Sequence, residues 1–134
     1  MSFGYSVGDV IAIGQLAWKV YKSCKDAPES FANISMEVLS LHALLKEVEE
    51  ALSDNLSTSR KNSLATIVTD CQAVLGDLQA LVDKYESLGS GSKRTWDRMG
   101  WGLNDISELR ARLTANIGML TAFIRREIRI SVRT

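Results

Sequence analysis

Few residues in this chain could do bond chemistry, and none stands in a pattern that does it. His42 is the only histidine among 134 residues, so any serine or cysteine nucleophile activated by an imidazole would depend on it. It sits beside Leu41, a position of a repeating apolar seam, and reads as a structural or surface histidine. Cys24 and Cys71 fall at apolar positions of predicted helices. They read as reduced core residues of an intracellular protein, because a buried free cysteine packs as a small hydrophobe. No Cys/His set has zinc-ligand spacing. Glu47, Glu49 and Glu50 cluster as a solvated helix face would, and the Glu-x-x-His pairs of di-metal bundles are missing. The opening Gly4-Tyr5-Ser6-Val7-Gly8 superficially suggests a phosphate loop but lacks the Walker lysine. Two readings remain for it: a flexible lead-in, or a close contact between helices in a membrane. No catalytic, metal or cofactor site is therefore expected, and the chain does not read as an enzyme.

The elements themselves carry more information. Hydrophobic residues make up 46% and charged residues 24%, with a single proline, which is ordinary for one soluble domain with one core. Long runs with a 3.6-residue period argue an all-α fold. The most apolar run, Ser6 to Tyr21, predicts a first helix from Val7 to Lys25, with Ser6 and Asp9 as a capping box. Its apolar positions cover more than half the circumference, so this helix is expected to be the most buried. Residues 25–30, KDAPES, break the chain, with Asp26 as the expected N-cap, Pro28 in the first turn and Glu29 at N3. A heptad seam follows at Phe31, Ile34, Val38, Leu41, Leu45, Val48 and Leu52.

After the polar loop 53–59, a third helix carries Leu64, Ile67, Val68, Cys71, Leu75, Leu78, Leu81, Val82, Tyr85 and Leu88. Gly76 inside it implies a close helix contact, since glycine otherwise lowers helix stability. GSGS at 89–92 is a flexible break. Asp105 is the expected cap of a last helix whose Leu113, Ile117, Leu120, Ile124 and Ile128 share one face. The expected architecture is an up-and-down bundle of four main helices with a possible short extra helix near Trp96, sequential helices packing as antiparallel neighbours. The periodic pattern is still running at Thr134, so residues 1–134 are expected to be the N-terminal domain of a longer protein.

Charge is zero overall but unevenly placed. Residues 1–25 hold three lysines against Asp9, and residues 26–86 hold four basic against eleven acidic groups. Residues 105–134 hold six arginines against three acids. Opposite ends could attract within a bundle, or leave a basic tip for anionic lipid. Trp96 and Trp101, flanked by Lys93, Arg94 and Arg98, suit either a core lid or a headgroup boundary. With Arg125, Arg126 and Arg129 these are the candidate lipid-facing basic residues. No nucleic-acid motif is present, and a neutral chain does not suggest that partner. A signal peptide is not expected, because the N-terminus lacks a basic region and Asp9 interrupts the apolar run. No run of about 20 uncharged apolar residues exists for an ordinary transmembrane helix.

One resemblance covers nearly the whole chain. The opening G-x-S-x-G-D, the apolar first helix, the K-D-A-P break, the Phe31–Ile34–Val38–Leu41 seam, and the later CQAVLGDLQALVDKY and DISELRARLTANIGMLTAF together resemble the HeLo-like domain at the N-terminus of fungal STAND, or NLR-type, proteins. The resemblance extends to the HeLo domain of fungal heterokaryon incompatibility. It implies a helical effector of programmed cell death or innate immunity, cytoplasmic at rest and at the plasma membrane on activation. Its implied partners are other copies of itself, anionic lipids, and a downstream receptor or amyloid-motif domain. It also implies that the first helix is the membrane-active segment, with Val7, Asp9, Val10, Ile11, Ile13, Leu16, Trp18 and Val20 as candidates. The apolar stretch Val10 to Trp18 rises only about 14 Å, against a bilayer core of about 30 Å. Membrane activity would therefore require an oligomer that turns Asp9 toward water. The alternative is a helical interaction module, an adaptor, without membrane activity.

Overall fold

The computed structural model describes residues 7–27, 29–51, 56–87 and 103–133, excepting the side chains of 7, 29–30, 103–104 and 128–133. The described residues form four helices and no strand: α1 Val7–Lys25, α2 Glu29–Ala51, α3 Thr58–Glu86 and α4 Leu103–Arg133. The chain is an all-α four-helix bundle. The extra helix expected near Trp96 lies outside the described residues, as do Ser6, Pro28, Leu52, Leu88 and the side chain of Ile128.

Helix ends follow local chemistry, with shifts of a few residues from the sequence reading. A bond from the Ala27 amide to the Cys24 carbonyl (3.2 Å) closes α1. Asp26, expected as the cap of α2, lies instead in the turn before it, because α2 starts at Glu29. Ser57 caps α3 in an extended conformation, its hydroxyl accepting from the Arg60 amide at 3.2 Å, a bond that satisfies one orphan donor. Asp105 is not the cap of α4. That helix begins at Leu103, so Asp105 stands in its first turn, where a carboxylate meets the positive end of the helix dipole.

The core forms as the apolar periods require. Phe31, Val38, Leu45, Leu64, Cys71, Leu78, Leu113, Leu120 and Ile124, the residues with the clearest seam spacing, are all buried. Ala65, Val74, Ile106, Leu109 and Phe123 join them. The arrangement of the helices is less direct. α1 packs on α2 and α3, and α4 packs on α2 and α3. α2 and α3 therefore lie across the diagonal, and the Phe31 ring at the start of α2 meets the Tyr85 ring at the end of α3 edge to face at 5.6 Å, so the two run antiparallel.

Sequential neighbours pack side by side only for α1/α2 and α3/α4, so the expectation that each short connection joins adjacent helices fails at residues 52–57. The expectation that α1 is the most buried helix fails too. Each helix has two main neighbours, and α1 keeps one buried stripe, Val10, Ile13, Gly14, Ala17, Val20 and Cys24, with Trp18 44% exposed. Gly76 makes no close contact, since a methyl group built there meets nothing within 4 Å.

Candidate functional site

The face between α1 and α2 holds an open groove of about 380 Å³, lined by Ile11, Gly14, Gln15, Trp18, His42, Lys46 and Glu49. Its α1 wall arises from spacing: Ile11, Gln15 and Trp18 are one or two turns apart on the flank of the buried stripe. Its α2 wall arises the same way, because His42, Lys46 and Glu49 follow gaps of four and three beside the core seam. Gly14 forms the floor. A Cβ added there would stand 3.9 Å from the Leu45 Cβ, an ordinary contact.

His42 ties the two walls together. Its Nδ1 lies 2.9 Å from the Gly14 carbonyl oxygen. A carbonyl only accepts, so Nδ1 carries the proton and donates, which assigns the tautomer of the neutral ring. The ring centroid is 5.3 Å from that of Trp18, and Trp18 is 5.3 Å from Tyr21, within the range of favourable aromatic pairs. Lys25 lies 6.0 Å from the centre of the Tyr21 ring. Trp18 is thus held on both sides yet keeps much of its surface in solvent. The groove can hold an apolar group against an aromatic wall, with one cation, one carboxylate and one amide at its rim. It has no nucleophile paired with a base. Among the described residues no group of three or more His, Cys, Asp or Glu could hold a metal ion.

The candidate membrane residues of α1 scatter over its circumference. Val10, Ile13 and Val20 are in the core, Ile11 and Leu16 are half-buried, and Asp9 and Trp18 are exposed. The side chain of Val7 lies outside the described residues. No described helix is long and apolar enough to cross a membrane. Of the candidate lipid-facing basic residues, Arg125 and Arg126 are exposed on α4. Lys93, Arg94, Arg98 and the side chain of Arg129 lie outside the described residues. The structure brings Trp18 and Ile11 together with His42, Gln15, Lys46 and Glu49, a combination the sequence reading did not assemble. The usable signal was the set His42, Lys46 and Glu49 at the flank of the seam, where heptad proteins place the residues that choose a partner.

Cys24 and Cys71 are free and buried. Burial pushes both thiols up to about 12, with the Asp70 charge adding to the effect at Cys71. At neutral pH they are protonated and inert. No family model matches the chain, and no curated protein and no solved structure matches it.

Proposed function

We propose that the chain is a helical interaction module of a signalling protein, working in the folded state through the α1/α2 face. What supports cell death or innate immunity as the setting is the sequence resemblance to HeLo-like domains. The observation that carries the reading is the open groove beside Trp18, on a helix whose apolar stripe is already part of the core. Releasing α1 would expose Val10, Ile13 and Val20. At about 1.5–3 kcal/mol for each large side chain, that loss approaches the whole stability of an ordinary domain, about 5–15 kcal/mol. A contact made by the folded face has no such cost.

The second reading, membrane targeting through α1 by an oligomer, is favoured by one observation. Trp18 is exposed on the same helix as exposed Lys19, Lys22 and Lys25, a combination found at lipid headgroups. A covalent lock separates the two. A Gly14→Cys/Leu45→Cys pair would place its Cβ atoms about 3.9 Å apart, inside the range a disulfide needs. Cys24→Ala and Cys71→Ala in the same background remove the native thiols from the exchange. Dye-filled phosphatidylcholine vesicles containing phosphatidylserine should stay sealed with wild type, and with the pair either reduced or oxidised. Leakage by the reduced chain that oxidation stops would reject the folded module in favour of a released α1.

A further inference from the structure

The flanks of the α1/α2 groove continue past it. On α1, Ile11, Gln15, Trp18, Lys22 and Lys25 follow at gaps of four and three, so one line carries the groove wall and then two exposed lysines. On α2 the facing line runs through His42, Lys46, Glu49 and Glu50. Trp18 meets His42 while Gly14 lies against Leu45, so the helices run antiparallel. The glutamates therefore stand level with the start of α1, near Val10, and the lysines stand at its other end. From Val10 to Lys22 is about 18 Å at about 1.5 Å per residue. Among the described residues, the salt bridges are Arg60–Glu127, Arg110–Glu37 and Arg112–Asp77, and none takes up a charge of these two lines.

The centre of the face makes a further chemical demand. His42 Nδ1 donates to the Gly14 carbonyl, so Nε2 of the neutral ring is an acceptor on the opposite side of the imidazole. Among the described residues, the buried side-chain atoms without a partner are Glu37 Oε2 and Gln79 Oε1. Nε2 is not one of them, so it is open to the groove that His42 lines. An apolar group that fills the groove must bring a donor for Nε2, or bury an unpaired acceptor.

We infer that this face takes an amphipathic helix of a different protein, anchored in the groove by one tyrosine or tryptophan. Those side chains combine an aromatic body, to lie against Ile11 and Trp18, with an O–H or N–H that donates to Nε2. Phenylalanine and leucine lack the donor, and a lysine or arginine would stand beside Lys46. The spacing of the charges selects a helix over a small ligand. A compound sized to a groove of about 380 Å³ does not reach charges about 18 Å apart, whereas three to four turns of helix do. Such a helix places acidic residues over Lys22 and Lys25 and basic residues over Glu49 and Glu50. Acids in the first turn and bases in the last are also the order that the helix dipole favours, so the partner runs antiparallel to α1. The inference rests on the reading of the bundle as a folded module and names what that module binds.

A designed helical peptide of about four turns tests it. It carries one central tyrosine, a leucine one turn to either side, two glutamates in the first turn and two lysines in the last. Anisotropy of the labelled peptide at low salt reads affinity, and amide chemical shifts of the protein read the site. The peptide should bind and shift the amides of Ile11, Trp18 and His42. Peptides with both ends acidic or both ends basic should bind about tenfold more weakly, because each meets repulsion at one end. Replacing the peptide's tyrosine by phenylalanine should cost about three- to tenfold, the scale of one hydrogen bond. The same replacement should cost nothing against His42→Phe. If that variant does not fold, the exposed pair Lys22→Glu with Lys25→Glu carries the test: it should weaken the two-sign peptide and favour the one basic at both ends. An unchanged unfolding midpoint shows that a variant is folded. No binding by the two-sign peptide, equal binding by a one-sign peptide, or a phenylalanine peptide as tight as the tyrosine one overturns the inference. Capture of the chain by phosphatidylserine vesicles without peptide binding gives the lysines to a lipid surface and also overturns it. The disulfide lock reads the folded module separately. Leakage stopped by oxidation rejects that module, whereas sealed vesicles without peptide binding reject only this partner.

Discussion

The α3/α4 seam and the α1/α2 face are built from similar helices but finished differently. Arg60 closes the first. Its Nε donates to Glu127 Oε1 at 2.6 Å, its Nη2 donates to the Phe123 carbonyl at 3.3 Å, and its guanidinium lies 4.2 Å from the Phe123 ring centre. Farther along, Arg112 meets Asp77 at 2.7 Å. Two ion pairs thus cross this seam, one toward each end. The α1/α2 face is bridged instead by the imidazole-to-carbonyl bond from His42 to Gly14. A seam whose charges are matched internally serves the fold. A face that leaves ordered charges and a tryptophan outward has surface available for something outside the bundle.

The largest effect expected from this contrast is at Arg60. Both partners of its ion pair are mostly buried, with side-chain exposures of 14% and 15%. Arg60→Ala should lower unfolding free energy by about 2–3 kcal/mol, the scale of lost charge-assisted hydrogen bonds plus a cation–π contact. Trp18→Ala removes only partly buried aromatic contacts and should cost about 1 kcal/mol. Urea denaturation compares the two directly. A Trp18 variant as damaged as the Arg60 variant would mean that Trp18 is a core residue and that the face is closed.

The thiols set one probe in each region, Cys24 in α1 and Cys71 in α3. Their folded values of about 12 stand above the ordinary 9.0. Between those values the folded state keeps protons that the unfolded chain releases. Stability is therefore unaffected by these groups below pH 9 and falls as pH rises above it. The slope is about 1.4 kcal/mol per pH unit for each thiol. Cys24→Ala and Cys71→Ala should each remove about half of the thiol-dependent alkaline loss when unfolding is followed from pH 8 to 11. A steeper share for Cys71 would show that the groove side opens first. An alkaline profile indifferent to both substitutions would mean that neither thiol is shielded in solution.

How much of this was legible beforehand differs by level. The seams of α2, α3 and α4 were readable because burial imposes a three-and-four spacing that survives any arrangement of neighbours; Val38, Leu78 and Leu120 are buried on that ground alone. The placement of α2 diagonal to α3 was not readable, because spacing on one helix does not say which other helix covers it. α1 was misjudged for the same reason. Its wide apolar arc suggested burial on all sides, yet Trp18 and Ile11 lie on the flank that no third helix reaches. His42 looked isolated, since its partner, the Gly14 carbonyl, is a backbone atom 28 residues away. Side-chain patterning is silent about such a bond.

Two glycines give the smallest and sharpest comparison. Gly76 lies on the open side of α3, where an added methyl meets nothing within 4 Å, and Gly14 lies under α2, where the same methyl meets Leu45 at 3.9 Å. Neither position needs glycine for space, and both are helical. Replacing either by Ala should raise stability by about 0.5–1 kcal/mol through helix propensity. Gly14→Ala adds its methyl under α2 and Gly76→Ala adds one toward solvent, so the two gains should be alike, and thermal unfolding measures both. If Gly14→Ala destabilises the bundle, α1 and α2 approach more closely in solution than 3.9 Å at this point, and the groove is shallower than its lining indicates. If Gly76→Ala destabilises it, the outer side of α3 is packed in solution, and the division between a closed seam and an open face does not hold.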